Sequence, residues 1–274
     1  MTIGAHVRNG PLNITLVQAD TVWHDPSANR ERLARAMREK GAASDLIVLP
    51  ETFTTGFSNE AVSTAEEMEG ETVRWMLEQA RALHAAITGS VQIRVGARVF
   101  NRLVWASANG EVRTYDKRHL FRMAQEDERY AAGRDRLIVE LKGWRVCPLV
   151  CYDLRFPVFS RNRADASREG QPEYDLLLYV ANWPAKRHEA WRTLLRARAI
   201  ENLCYVAGVN RCGTDGNEHP YAGGSAVVDS FGETMVECDD APQVVQAELS
   251  MEALREHRAR FPAHLDADAF RLED

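Results

Sequence analysis

The chain has 274 residues, 45% of them hydrophobic, and a net charge of −6 at neutral pH. That apolar content supports a sizeable core, while the excess of acid argues against nucleic acid as the main partner, since phosphate binding needs a concentrated basic surface. The five cysteines (Cys147, Cys151, Cys204, Cys212 and Cys238) are an odd number in a chain too large to need disulfide staples, which points to a reducing compartment.

In chain order, strand and helix signals alternate. Residues 12–19 read as a strand, and Asp25-Pro26 then supplies an N-cap and an N1 proline for a helix running to Gly41 as its C′ residue. Residues 45–49 form a short apolar strand ending at Pro50-Glu51. A helix over 71–84 carries Val73, Met76, Leu77, Ala80 and Leu83 on one face, the spacing of a buried stripe. Strands are expected at 85–91, 95–100 and 103–107, and Asn109-Gly110 signals a hairpin whose return strand, 111–116, leads to Lys117. The apolar run 144–150 ends abruptly at Cys151, and 174–182 is apolar enough for a strand covered on both faces. A helix over 186–201, strands at 203–210, 222–229, 234–237 and 244–248, and a helix from Met251 complete the reading. Segments 121–133 and 162–173 are polar and irregular; the second reads as a surface insertion.

No repeat or low-complexity linker divides the chain, so residues 1–274 are expected to form one mixed α/β layered domain. Residues 1–10 lack the apolar stretch of a secretory signal and no segment reaches bilayer length, so the expected location is cytoplasmic, with no membrane partner. Cys147 and Cys151 lie four apart on a strand, about 13 Å by strand rise, too far to share a zinc. With no Cys-x-x-Cys or His-Glu-x-x-His motif, no metal and no cofactor are expected.

Cys151 carries the most information. A strand that stops at a cysteine and turns toward a helix lifts the sulfur and the next N–H out of the sheet. A cysteine nucleophile also needs a base for its proton and a cation or N–H donors for the oxyanion formed on attack at a carbonyl. Glu51 and Lys117, like Cys151, follow strands, and strand ends are where active sites collect in open α/β sheets.

Pro50-Glu51, Tyr115-Asp116-Lys117-Arg118-His119-Leu120-Phe121 and Val150-Cys151-Tyr152-Asp153-Leu154-Arg155-Phe156-Pro157 together resemble the signature blocks of the nitrilase superfamily, carbon–nitrogen hydrolases with a Glu-Lys-Cys triad. The resemblance continues through Ala181-Asn182-Trp183-Pro184, residues 191–202 and Gly208-Val209-Asn210-Arg211, and the ending at 260–268 is similar to the ω-amidase branch. It implies a four-layer α-β-β-α sandwich and a homodimer or larger assembly. It also implies a small amide and water as reactants.

On this resemblance Cys151 attacks the amide, Glu51 shuttles the proton, and Lys117 with the backbone N–H of Tyr152 holds the oxyanion. A second carboxylate is implied, Glu126, whose spacing to Gly133 resembles the family's, with Glu128 as its competitor and a solvent-exposed acidic loop as the other reading. Arg155, four residues past the nucleophile, has a planar fork suited to a substrate carboxylate, as in 2-oxoglutaramate or 2-oxosuccinamate; its other reading is a turn-holding pair with Asp153 or Glu173. Asn182, Trp183, Phe57 and Phe121 are candidates for the pocket wall, the three aromatic rings equally readable as core. The competing functions are hydrolysis of a nitrile or an N-carbamoyl group by the same triad, and non-catalytic binding on the same fold.

Overall fold

The computed structural model describes residues 10–40, 43–165 and 170–272, so Gly41 as a helix stop lies outside the described residues, as does part of the 162–173 segment. One six-stranded sheet runs in spatial order Gln243–Leu249, Leu12–Gln18, Leu46–Val48, Ala86–Val95, Arg98–Ala106, Val112–Asp116. The second runs Thr234–Glu237, Ala226–Val228, Tyr205–Asn210, Leu176–Ala181, Trp144–Val150, Val139–Leu141. Each has parallel central pairings and antiparallel edges.

The period-2 alternation of the strands explains the layering. Leu12, Ile14, Leu16, Leu46, Val48, Leu103 and Trp105 join residues of the second sheet, such as Val146, Leu176 and Ala207, in one core between the sheets. The intervening residues Val17, Ile47, Leu49, Ile87 and Val104 pack instead with Leu33 and Met37 of helix Pro26–Lys40 and with Val73, Met76 and Ala80 of helix Glu71–Leu83. On the far side, helix His188–Asn202 lies against Gly208, where an added Cβ would come within 2.7 Å of both Leu195 and Trp191. The result is the four-layer α-β-β-α sandwich that the resemblance implied. Among the described residues, no helix is long and apolar enough to cross a membrane.

Three strands expected over 85–107 are two. Ala86–Val95 and Arg98–Ala106 pair antiparallel around Gly96, whose φ of +58° makes a two-residue turn that the apolar pattern conceals. The expected strand 222–229 is likewise divided, because Gly223 and Gly224 both take positive φ. Pro220–Ala222 pairs in a small ribbon with Cys212–Thr214, and Ala226–Val228 joins the main sheet. The Asn109-Gly110 hairpin is present, with Gly110 at φ +94°. Asp25 caps its helix through Oδ1, which accepts the Ala28 N–H at 2.9 Å.

Candidate active site

Four strand ends build one site. Glu51 follows Leu46–Val48, Lys117 follows Val112–Asp116, Cys151 follows Trp144–Val150 and Asn182 follows Leu176–Ala181. All four line a cavity of about 490 Å³.

Cys151 starts a short 3₁₀ turn, Cys151–Arg155, with φ at +44°, a left-handed conformation that costs energy for any residue with a Cβ. Fully buried Asp153 holds that turn. Its Oδ2 accepts the Val150 N–H at 3.0 Å and the Tyr115 hydroxyl at 2.7 Å, and its Oδ1 accepts the His119 N–H at 3.1 Å. Thr52, next to Glu51, is also left-handed at φ +40°, with its N–H bonded to Ser90 Oγ at 2.9 Å. For a β-branched residue this is a second outlier at the site. The strand-end glutamate and cysteine are thus both aimed by strained backbone.

Lys117 sits between two carboxylates. Its Nζ donates to Glu51 Oε1 at 2.9 Å and to Glu126 Oε1 and Oε2 at 3.0 and 2.9 Å. Burial pulls against the ammonium, but the charges of Glu126 and Glu51 overcome it and raise the lysine well above its ordinary value. Burial, partly opposed by Lys117, raises Glu126. Burial also lifts the Cys151 thiol well above its usual range, with the Glu51 carboxylate adding to the shift, so the resting sulfur is a neutral thiol. Between the two glutamate candidates the geometry is plain: Glu126 is fully buried on the lysine, whereas Glu128 is exposed.

The remaining candidates divide. Phe57 lies under the lysine, with Nζ 5.3 Å from its ring centroid. Phe121 meets the Tyr152 ring edge-on at 5.0 Å, and its backbone N–H donates to Glu126 Oε2 at 2.6 Å. Asn182 lines the cavity, but its donors are already engaged: its N–H with Glu51 Oε2 at 2.7 Å, and its Nδ2 with Glu51 O and Thr52 Oγ1, both at 2.8 Å. It orients Glu51. Arg155 pairs with neither Asp153 nor Glu173. Glu173 is bound by Arg136 and Arg163, and the Arg155 guanidinium instead stacks over the Trp183 ring at 5.0 Å.

Sequence reading missed Asn101, Arg187 and the ribbon residues His219 and Tyr221. Asn101 is buried, and its Nδ2 donates to Glu51 Oε1 at 2.8 Å and Glu126 Oε1 at 3.3 Å, bridging the two carboxylates. The signal for it was a polar residue on the inward face of a strand, in phase with Leu103 and Trp105. Arg187, His219 and Tyr221 line the cavity with no local motif to mark them.

A thiol beside a carboxylate and a buried ammonium, at the floor of a mostly apolar pocket, can attack a carbonyl carbon and stabilise the resulting oxyanion. Comparison with known proteins agrees with that chemistry. The carbon-nitrogen hydrolase family profile matches residues 13–259. An Escherichia coli K12 protein named omega-amidase YafV is 50% identical over 263 residues, 95% of this chain and 98% of that one. The 2-oxoglutaramate amidase of Bacillus subtilis strain 168 is 30% identical over 256 residues, 92% of this chain and 96% of that one. The crystal structure of XC1258 from Xanthomonas campestris, a CN-hydrolase superfamily protein with an arsenic adduct in its active site, superposes with a TM-score of 0.94. It is 59% identical and covers 96% of this chain and 99% of its own. The chain belongs to the carbon–nitrogen hydrolases of the nitrilase superfamily.

Proposed function

We propose that the chain is an ω-amidase that hydrolyses the terminal amide of small dicarboxylic or 2-oxo acids, of the 2-oxoglutaramate or 2-oxosuccinamate type, with Glu51, Lys117 and Cys151 as its triad. The observation that carries the reading is Lys117, buried and clamped between Glu51 and Glu126 beside the thiol. No fold requires that costly arrangement of charges in its core, and the 50% identity to an omega-amidase supplies the substrate class.

Glu51 takes the proton of Cys151 as the sulfur attacks the amide carbon, so a thiol at rest becomes a thiolate only at the reacting carbon. The tetrahedral oxyanion is held by the Lys117 ammonium and the Tyr152 N–H. Glu126 keeps the lysine charged and fixed, while Asn101 and Asn182 keep Glu51 in register. Protonated Glu51 then gives its proton to the leaving nitrogen, ammonia departs, and a thioester remains. Water, deprotonated by Glu51, attacks the thioester and frees the acid and the thiol.

All of residues 1–274 act as one catalytic domain on this reading, in the cytoplasm and as a homodimer or larger assembly. Five free cysteines, all buried, support a reducing compartment. Light scattering of the purified protein tests the assembly. The decisive assay is ammonia release from a panel holding ω-amide acids, a nitrile and an N-carbamoyl amino acid. Turnover of the ω-amide acids with neither of the others is the expected result, and preference for a nitrile or carbamoyl compound overturns it.

A further inference from the structure

Two guanidiniums reach the cavity, those of Arg155 and Arg187, and among the described residues neither has a carboxylate partner. This sets them apart from the arginines that hold the fold together. Arg145 and Arg258 share buried Asp175, Arg211 bonds Asp20 and three backbone carbonyls, and Arg198 bonds Glu201 and the Leu154 carbonyl. The two cavity arginines rest on rings instead. Arg155 lies over Trp183 at 5.0 Å and Arg187 over Phe121 at 5.3 Å, with one Nη of Arg187 2.8 Å from Met123 Sδ. A ring under a guanidinium covers its face and leaves the in-plane N–H fork free for an anion.

The two arginines are also physically linked. Trp183 carries Arg155 on its ring while its Nε1 donates to the Arg187 backbone carbonyl at 2.8 Å, so one buried side chain sets the position of both. Among the described residues, none of the acids that line the same cavity pairs with them. Glu51 is engaged by Lys117, and Asp215 accepts from the Tyr221 hydroxyl and from the N–H groups of Asn217 and His219. Lys186 adds a further cation and exposed Glu60 one free acid. Away from the Lys117 cluster, the cavity thus carries three cations, Arg155, Arg187 and Lys186, against two acids, Asp215 and Glu60, so its outer part favours an anionic substrate end.

We propose that Arg187 is a second specificity-determining residue, which works with Arg155 to hold the distal carboxylate of the substrate while the amide end lies at Cys151. This rests on the ω-amidase reading for the identity of the amide, but the carboxylate site itself does not depend on turnover. An acid held by two forks has all its in-plane lone pairs met, which a single surface arginine cannot do. A neutral amide of the same length lacks that anchor.

The test has a binding arm and a kinetic arm. In the first, glutarate is titrated calorimetrically into Cys151→Ala protein with and without Arg187→Gln or Arg187→Lys. Both second changes are expected to weaken glutarate binding at least tenfold, the lysine variant because it keeps charge but loses the fork. In the second, kcat/KM is compared for glutaramate and its methyl ester, and Arg187→Gln is expected to lose at least tenfold more on the acid than on the ester. Unchanged glutarate affinity in both variants, or equal losses on acid and ester, overturns the role of Arg187. Absence of any ω-amide turnover by the unaltered enzyme, with glutarate binding still dependent on Arg187, would instead overturn the proposed reaction and leave the carboxylate site standing.

Discussion

His119 Nδ1 lies 2.8 Å from Asp153 Oδ1, and this contact joins the segments that carry Lys117 and Cys151, since His119 is two residues past Lys117 and Asp153 two residues past Cys151. The imidazole also stacks on Phe156 with 3.8 Å between ring centroids, so the lysine loop and the cysteine turn are fastened by a polar and an apolar contact at once. Asp153→Ala would leave the Val150 N–H and the Tyr115 hydroxyl buried without their acceptor, at a cost of about 1–3 kcal/mol for each such group. The left-handed conformation of Cys151 would lose its support. The expected result is a lower denaturant midpoint together with at least a tenfold fall in kcat. Wild-type kcat in a destabilised protein would show that the contact serves the fold alone.

Cys151→Ala is expected to abolish ammonia release while the protein stays folded, because only the sulfur can form the thioester and its removal costs little packing. Cys204→Ala is expected to remain active; its thiol is fully buried in the core between layers, and burial pushes its pKa up. Glu51→Gln removes the base and Lys117→Met the cation, and each is expected to cost roughly three orders of magnitude in kcat. A variant keeping more than about a tenth of wild-type turnover, a loss of only ~1.4 kcal/mol, would not have the role given to it.

Glu126 gives a pH signature. Its charge is the largest of those raising Lys117, and it also raises Cys151. Glu126→Gln removes that charge, so the folded pKa values of the lysine and the thiol both fall. The alkaline limb of the kcat profile, where the ammonium is lost, is expected to move to lower pH. Alkylation of Cys151 by iodoacetamide at a fixed alkaline pH is expected to quicken. An alkaline limb at the wild-type position would mean that Glu126 does not set the charge of Lys117.

The positions of Glu51, Lys117 and Cys151 at strand ends were legible because each follows a strand with a local signal, an apolar run before Glu51 and Cys151 and the Asn109-Gly110 hairpin before Lys117. Glu126 could be separated from Glu128 only by the turn after Phe121, in which Gln125 takes a left-handed φ of +56° and directs one acid inward and the other to solvent. Asn182 read as a wall residue because sequence gives no view of which strand ends become neighbours; the parallel neighbours of its strand begin 32 residues before it and 29 after it. The turn at Gly96 and the break at Gly223-Gly224 were hidden by apolar residues on both sides. Arg187 carries no motif, since its meaning comes from Phe121 and Met123, brought to it from another segment of chain, and from Trp183 four residues before it.

Arg155→Lys separates recognition from chemistry. The change keeps the charge but loses the planar fork and the stacking on Trp183. It is expected to reduce kcat/KM on an ω-amide acid roughly tenfold to a hundredfold, the worth of a hydrogen bond to a charged group, and to affect the methyl ester less. Equal losses on the two substrates would make Arg155 a structural residue.

Asp175 predicts how the fold responds to acid. It is buried with Arg258 at 2.7 Å and Arg145 at 3.2 Å, and it joins the strand Trp144–Val150 to the final helix, Met251–Arg260. Burial acts to raise its pKa, but the Arg258 and Arg145 guanidiniums outweigh burial and hold the carboxyl below its ordinary value. A group whose folded pKa is depressed contributes stability that is fully present above its unfolded pKa, about 3.9, and is lost as pH falls through the folded value. Asp175→Asn leaves two buried guanidiniums without their anion and is expected to destabilise the protein by about 3–5 kcal/mol at pH 7. Denaturant unfolding at a series of pH values checks both statements. The gap between wild type and Asp175→Asn is expected to stay constant from pH 7 down to about pH 5 and to narrow only once the pH passes below about 4. A gap that closes already between pH 7 and pH 6 would assign the stabilisation to a group other than Asp175, because a depressed carboxyl takes up no proton in that range.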